Sequence, residues 1–129
     1  MAKKKKTTEL AYAGSVFDIQ FYVRESGEVL AEEWLESMPI HIQQKFAALF
    51  AWMGDHGRIS NEKKFKHLTG SDQIFEFKAG QGRVMCFFFI GQRVILTHGC
   101  TKKGDKTPKG EIERAEALKA EFEVREKTK

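Results

Sequence analysis

The sequence predicts an α+β domain with a mostly antiparallel sheet, in the order β-α-α-β-β-β-β-α, packed by helices on one face. Two periodicities predict this class, because apolar residues alternate in some segments and recur with the helical period in others. In addition, the glycine-containing segments Gly80-Gln81-Gly82 and Gly91-Gln92 separate the last strands, and such turns join antiparallel neighbours. With 129 residues, the chain has the length of one domain.

The first half of the domain is predicted to hold one strand and two helices. Apolar and polar side chains alternate from residue 16 to 24, which is typical of a strand. Residues 28–37 predict a short helix with its glutamates facing outward. Pro39 suits the first turn of a second helix, which runs to about Asp55.

The second half is mostly strand. Alternation predicts strands at residues 64–68, 74–78, 83–90 and 93–99. A basic loop follows at 102–107, and Pro108 opens a last helix. Apolar residues recur on one face of that helix, namely Ile112, Ala115, Leu118 and Phe122.

Charge is unevenly distributed, although the net charge is only +4. One basic run, Lys3 to Lys6, lies in residues 1–14, which we expect to be a flexible arm before a domain at residues 15–125. A second basic group consists of Lys102, Lys103, Lys106 and Lys109. Acidic residues are concentrated elsewhere, at Glu25, Glu28, Glu32, Glu33 and Glu36. The second basic group is the better candidate for binding a phosphate backbone.

Composition argues against several classes of protein. The two cysteines, Cys86 and Cys100, and the four histidines have no metal-ligand spacing, so we expect no metal and no cofactor. No apolar run is long enough for a signal peptide or a membrane span. We therefore expect a soluble, cytoplasmic protein that has no membrane partner.

The two hairpin turns allow a strand register to be derived. If Gly80-Gln81 is a two-residue loop, Lys78 faces Arg83 and Glu76 faces Met85. If Gly91-Gln92 is also a two-residue loop, Met85 faces His98 and Arg83 faces Cys100. One sheet face then carries Glu76, Lys78, Arg83 and His98, and continues into Phe87 and Leu96. The opposite, helix-covered face carries Phe75, Phe77, Val84, Cys86, Phe88, Ile95 and Thr97.

Two cations, a carboxylate and an imidazole on one sheet face favour phosphate chemistry. RNA is cleaved without a metal when its own 2′-OH attacks the adjacent phosphorus, which needs a base, an acid and cations for the developing charge. Arg83 and Lys78 suit that charge. We expect Arg83 to be half-exposed, so its removal should leave the fold intact. Glu76 is the candidate base, with a lysine of lowered pKa as the alternative, and His98 is a possible acid. The same residues also fit a solvated ion-pair cluster.

The order of motifs resembles that of the phage-derived RelE/HigB-type toxins. Residues 17–23 and 33–39 resemble the first strand and helix of that family. The later motifs follow in the same order, at residues 64–68, 74–78, 82–84, 96–99, 101–103, 106–108 and 111–112. The resemblance covers about residues 15–122.

This resemblance implies a compact RelE-like fold and metal-independent cleavage of mRNA on the ribosome. It also implies a helix-turn-helix antitoxin as partner, with DNA contacted only indirectly through the antitoxin complex. The basic catalytic residues of the family carry over to Arg83, Lys78, Lys102 and Lys103, beside the candidate base Glu76. Other lysines near this face are expected to bind RNA, namely Lys64, Lys66, Lys106 and Lys109.

The chain departs from the family pattern at two positions, and two other functions remain as alternatives. It has Lys78 where the family usually has arginine and Cys100 where it usually has phenylalanine, and the C-terminal tyrosine or histidine of some members is absent. One alternative is a non-catalytic nucleic-acid-binding or phage accessory protein that keeps the fold. An RNA-recognition domain is disfavoured, because its β-α-β-β-α-β order is missing.

Overall fold

The computed structural model describes residues 5–104 and 106–128. These residues form three helices and one six-stranded sheet, so the predicted α+β class is confirmed. The elements are β1 (Thr8–Ala13), β2 (Asp18–Tyr22), α1 (Leu30–Glu36), α2 (Ile40–His56), β3 (Phe65–His67), β4 (Phe75–Ala79), β5 (Gly82–Phe89), β6 (Arg93–Thr101) and α3 (Lys109–Lys127).

The strands lie in the order β1-β2-β6-β5-β4-β3. Neighbouring strands are antiparallel except β2 and β6, which pair in parallel. The long β5 and β6 therefore lie inside the sheet, while the three-residue β3 forms one edge. The basic loop that follows β6 begins beside the turn between β4 and β5, because the backbone N–H of Lys102 donates to the carbonyl oxygen of Gln81.

Helices cover both faces of the sheet, whereas the sequence predicts them on one. On the first face, α1 and α2 bury Leu35, Phe46 and Phe50 against strand residues such as Phe77 and Val84. On the second face, the apolar stripe of α3, formed by Ala115, Leu118 and Phe122, packs against the strand residues Met85, Phe87 and Ile95. The strand residues between Phe77 and Phe87 supply both cores, because neighbouring side chains on a strand point to opposite faces. The face with the predicted site is therefore partly covered.

A strand replaces part of the predicted N-terminal arm. Thr8–Ala13 forms β1, which pairs with β2 and has a bulge between Leu10 and Tyr12. The Tyr12 hydroxyl donates a hydrogen bond to an Asp55 carboxylate oxygen of α2, at 2.5 Å. A polar segment can form a strand here because β2 offers an unpaired edge. Residues 1–4 of the expected arm lie outside the described residues.

The predicted register is correct for the first hairpin and needs correction in the second. Lys78 pairs with Arg83 and Glu76 pairs with Met85, as expected. Phe89 pairs with Arg93, however, so the second loop has three residues rather than two, and this reverses the faces of Ile95 and Leu96.

A bulge then restores the predicted pairing at the far end of this hairpin. From Val84 to Cys86, β5 advances two positions while β6 advances three, from Gly99 to Leu96. Arg83 therefore still pairs with Cys100. Two departures from ideal geometry cancel where the predicted site lies.

Candidate functional site

A cationic groove lies where β3 and β4 meet the basic loop and the start of α3. It has a volume of about 360 Å³. Its lining contains Lys66, His67, Leu68, Thr69, Glu76, Lys78, Lys102, Lys106, Thr107 and Ile112, and we call it the lysine groove. Four of these residues are lysines and one is a carboxylate. The groove therefore offers positive charge to an anion and keeps an acidic group at its floor.

Glu76 forms that floor. Its side chain is only 3% exposed, and it lies directly across the strand pair from Lys66. The Thr107 hydroxyl donates a hydrogen bond to Glu76 Oε1 at 2.5 Å, and Arg83 Nε lies 3.7 Å from the same oxygen. Because Glu76 Oε1 contacts both Thr107 of the basic loop and Arg83 of β5, Glu76 links the basic loop to the sheet.

Arg83 is buried beneath the groove and does not line it, contrary to the expectation of a half-exposed phosphate ligand. It is 5% exposed, and its Nη1 donates to the carbonyl oxygens of Gly80 at 2.9 Å and Gly82 at 2.7 Å. Its Nε has no hydrogen-bond partner among the residues that the structure describes. Burial lowers the pKa of the guanidinium, and nearby Glu76 only partly opposes this. Arg83 therefore supports the β4–β5 turn and holds a positive charge under the groove.

Lys78 is the partly exposed cation of the groove. Its Nζ donates to the backbone oxygen of Glu62 at 3.2 Å. Burial lowers the pKa of this amine, and repulsion by Arg83 adds to that effect, as do Lys102 and Lys66, while Glu76 opposes it. A larger fraction of Lys78 is therefore neutral at a given pH than for an ordinary lysine.

The other basic residues named from the sequence occupy different positions. Lys102 is largely buried at the groove wall, and Lys106 lies at the exposed rim. Lys103 and Lys109 are exposed and are not part of the groove lining. Lys64 lines a neighbouring cleft beside Trp52.

His98 shares the face of Arg83 and Cys100, as predicted, but α3 covers it. The ring is 1% exposed, and its Nε2 lies 3.1 Å from a Glu111 carboxylate oxygen. Its Nδ1 lies 3.3 Å from Thr97 Oγ1. Burial lowers the pKa of His98, and the bond to Glu111 opposes that shift. These contacts describe a core histidine, so its role as an acid has no support from its position.

Two residues of the groove have roles that the sequence does not indicate. Thr107 falls in the predicted basic loop, and nothing in its sequence context points to a bond with a residue on a distant strand. Lys66 is expected only to bind RNA, yet it is the cross-strand partner of Glu76. The short turn between residues 68 and 74 could have indicated that pairing.

Across residues 5–104 and 106–128, no group of three or more histidine, cysteine, aspartate or glutamate side chains could hold a metal ion. Within the same part of the chain, none of the helices combines the length and apolar character that crossing a membrane requires.

Comparison with known proteins identifies the family. No curated protein matches the chain. A family model described as phage derived protein Gp49-like (DUF891) matches residues 33–120, which is more than half of the chain. The match extends from α1 into α3 and includes the strands and the basic loop that build the lysine groove. The chain therefore belongs to the phage-derived Gp49-like family, which is a RelE-like toxin family.

Proposed function

We propose that this protein is the toxin of a toxin–antitoxin pair, of the HigB type, and that it cleaves mRNA on the ribosome in the cytoplasm without a metal. The observation that carries the proposal is the lysine groove, in which Lys66, Lys78, Lys102 and Lys106 surround the buried Glu76. Clustered lysines favour a polyanion, and an uncovered groove admits a flexible strand.

The proposed reaction is an internal transesterification of RNA. The 2′-oxygen forms a bond to phosphorus while the bond from phosphorus to the 5′-oxygen breaks. The products are a 2′,3′-cyclic phosphate and a free 5′-hydroxyl, so no water and no oxidant is consumed. One group must accept the 2′-hydroxyl proton, and a second must give a proton to the leaving 5′-oxygen.

Lys78 is our first choice for the group that accepts the proton. Its amine lies on the groove, and its lowered pKa increases the neutral fraction that can act as a base. Glu76, the first candidate from the sequence, becomes the second choice, because its Oε1 already accepts the Thr107 hydroxyl and faces Arg83. We assign Glu76 the task of holding the loop and the cations in place.

The remaining cations are proposed to stabilise the charge that develops on the phosphate. Lys66 and Lys102 reach the groove from different elements, β3 and the loop after β6, while Lys106 and the exposed Lys103 follow on that loop. Lysines act here as point charges rather than as bidentate forks. The buried Arg83 contributes a fixed positive field from beneath.

The partner is proposed to be a small helix-turn-helix antitoxin that binds away from the lysine groove. An apolar cleft of about 270 Å³ lies between α1, α2 and β1, with Leu35, Phe21 and Phe50 in its lining and Glu32 and Glu36 beside them. Burial raises the pKa of Glu32, and the nearby Glu9 adds to this. A partner with basic and apolar contact residues would relieve that repulsion. Any contact with DNA would be made through the antitoxin.

The decisive experiment induces the chain alone in a bacterium and maps new 5′ ends in the mRNA. We expect growth arrest and ribosome-associated cuts that persist in a purified assay containing a chelator of divalent ions, once ribosomes have been fixed on the message. Lys78→Ala should remove most of the cuts. Lys127→Ala, which changes an exposed lysine at the end of α3, is the matched control and should cut normally.

Co-expression tests the partner separately. A helix-turn-helix protein encoded by the gene next to the one for this chain should co-purify with the chain and restore growth. RNA binding by the purified chain without any cuts would favour the non-catalytic accessory protein. Cleavage that disappears with the chelator and returns with magnesium would contradict the metal-independent mechanism.

A further inference from the structure

We propose that a second cleft, beside Trp52, holds an unpaired base of the RNA whose backbone lies in the lysine groove. The inference rests on the proposed function and extends it to the recognition of bases. The cleft has a volume of about 340 Å³. Its lining includes Ala48, Leu49 and Trp52 from α2, and Ile59, Asn61 and Lys64 from the following segment.

Trp52 is placed as a stacking surface rather than as a core residue. The buried stripe of α2 is formed by Phe46, Phe50 and Met53, and Trp52 falls outside it with 49% of its surface exposed. Its ring packs against His56, one turn later, at a centroid distance of 4.9 Å. An aromatic ring that is held on one side and open on the other can stack a base of any identity.

The Trp52 cleft and the lysine groove are joined by one short segment. Lys64 lines the cleft, while Lys66 and His67, two and three residues later, line the groove. Lys78 binds this segment twice, because its backbone N–H donates to Lys64 at 2.9 Å and its Nζ donates to Glu62 at 3.2 Å. One strand of RNA could therefore place a phosphate near Lys78 and the adjoining base against Trp52.

Charge around the cleft matches this occupant. The segment from residue 59 to 66 contains Lys63, Lys64 and Lys66, with Glu62 as its one acidic residue. On α2, Lys45 lies one turn before Ala48 and Leu49 and two turns before Trp52. Asn61 adds an amide that can hydrogen-bond to a base edge. Cations flanking an aromatic ring are the arrangement used to bind single-stranded nucleic acid.

The test measures binding of a short, mixed-sequence oligoribonucleotide whose riboses are 2′-O-methylated, so that cleavage cannot occur. Trp52→Ala should raise its Kd roughly 5- to 150-fold, and Trp52→Phe should raise it less. An oligonucleotide of the same length without bases should bind wild type and Trp52→Ala equally. Ile90→Ala removes a more exposed apolar side chain outside both cavities and should leave every Kd unchanged.

Two results would overturn the inference alone. One is a Kd for the 2′-O-methylated oligoribonucleotide that does not change in Trp52→Ala. If that variant instead only stops co-purifying with the antitoxin, the cleft binds a protein and not RNA. The other is an equal loss for the oligonucleotide without bases. Failure of the proposed function would give a different result. If the lysine groove does not bind the RNA backbone, Lys66→Ala should bind both oligonucleotides with the wild-type Kd, and the inference about Trp52 would then also be wrong.

Discussion

Two clusters of charged residues lie beside helix α3, and they differ in how their charges are matched. Near the end of the helix, Glu121 receives hydrogen bonds from Arg24 Nε and Nη2, both at 3.1 Å, and from the Tyr22 hydroxyl at 2.6 Å. Near its start, Glu76 meets the Thr107 hydroxyl and Arg83, while Lys78 and the other lysines of the groove surround it. Counting the described residues, the first cluster is balanced and the second has excess positive charge.

The pKa shifts favour the charged forms of Arg24 and Glu121 in the first cluster and disfavour the charged forms of Arg83 and Lys78 in the second. In the first, the hydrogen bond with Glu121 raises the pKa of Arg24, and the same bond lowers the pKa of Glu121, so both charged forms are favoured. In the second, burial lowers the pKa values of Arg83 and Lys78, so the charged forms of both cations are disfavoured. The negative charge of a bound phosphate would stabilise the charged forms of Arg83 and Lys78 and so offset the effect of burial. The first arrangement stabilises the fold, and the second is suited to receive an anion.

The largest expected effect comes from Arg83→Ala. A half-exposed cation could be removed without harm to the fold, but the buried position of Arg83 corrects that expectation. Removing it leaves Glu76 without its buried counterion and two turn carbonyls without a donor, so the free energy of unfolding should fall by about 3–5 kcal/mol. Urea unfolding measures the loss.

Arg24→Ala is the matched comparison for that loss. The Arg24 side chain is 35% exposed, so solvent screens its pair and the free energy of unfolding should fall by no more than about 1 kcal/mol. Equal losses from the two arginine variants would show that the two clusters do not differ in the way described here.

The next effect concerns the pH dependence of cleavage. If neutral Lys78 is the base, the rate rises with pH until it levels off at a pKa below the ordinary value for lysine, because deprotonation creates the active form. Lys78→Ala should reduce the rate about 100- to 10,000-fold.

Two variants separate this role of Lys78 from a purely electrostatic one. Lys78→Arg keeps the positive charge but should flatten the rise with pH. Lys102→Ala should lower the rate while keeping the rise. If Lys78→Arg instead retains the wild-type pH profile, Lys78 is not the base and Glu76 becomes the leading candidate.

A smaller pH-dependent effect is expected in the balanced cluster. Burial raises the pKa of Tyr22 to about 12, and its bond to Glu121 adds to this shift. Because the folded state holds this proton more tightly than the unfolded state does, the contribution to stability is complete below pH 10 and is lost between pH 10 and 12. Tyr22→Phe should remove this part of the alkaline transition.

Stability and activity should separate in that variant. Tyr22→Phe should lower the free energy of unfolding at pH 7 by about 1–2 kcal/mol, because the hydrogen bond to a carboxylate is lost. Cleavage should stay at the wild-type rate. A fall in cleavage without a fall in stability would mean that the two clusters under α3 are coupled.

Sequence pattern alone is enough to predict the fold class, most of the elements and which residues of β4 and β5 share one sheet face. Alternation places Glu76 and Lys78 on the same side of β4, and the tight turn after Ala79 pairs Lys78 with Arg83. These features are local, because they depend on a period of two and on one short turn. The acidic α1 and the basic loop can be recognised for the same reason, since each is a short run of like charges in the sequence.

How much of that face is open depends instead on the packing of distant elements. The start of α3 buries His98, and hydrogen bonds to the turn carbonyls hold Arg83 in the interior. Thr107 reaches Glu76 from a distant part of the chain, whereas Lys66 pairs with Glu76 across the short turn between β3 and β4. The three-residue loop and the bulge in the second hairpin cannot be seen in the pattern either, since each changes the register without changing the alternation. Burial and pairing of charges depend on which elements pack together, and spacing along one strand does not encode that.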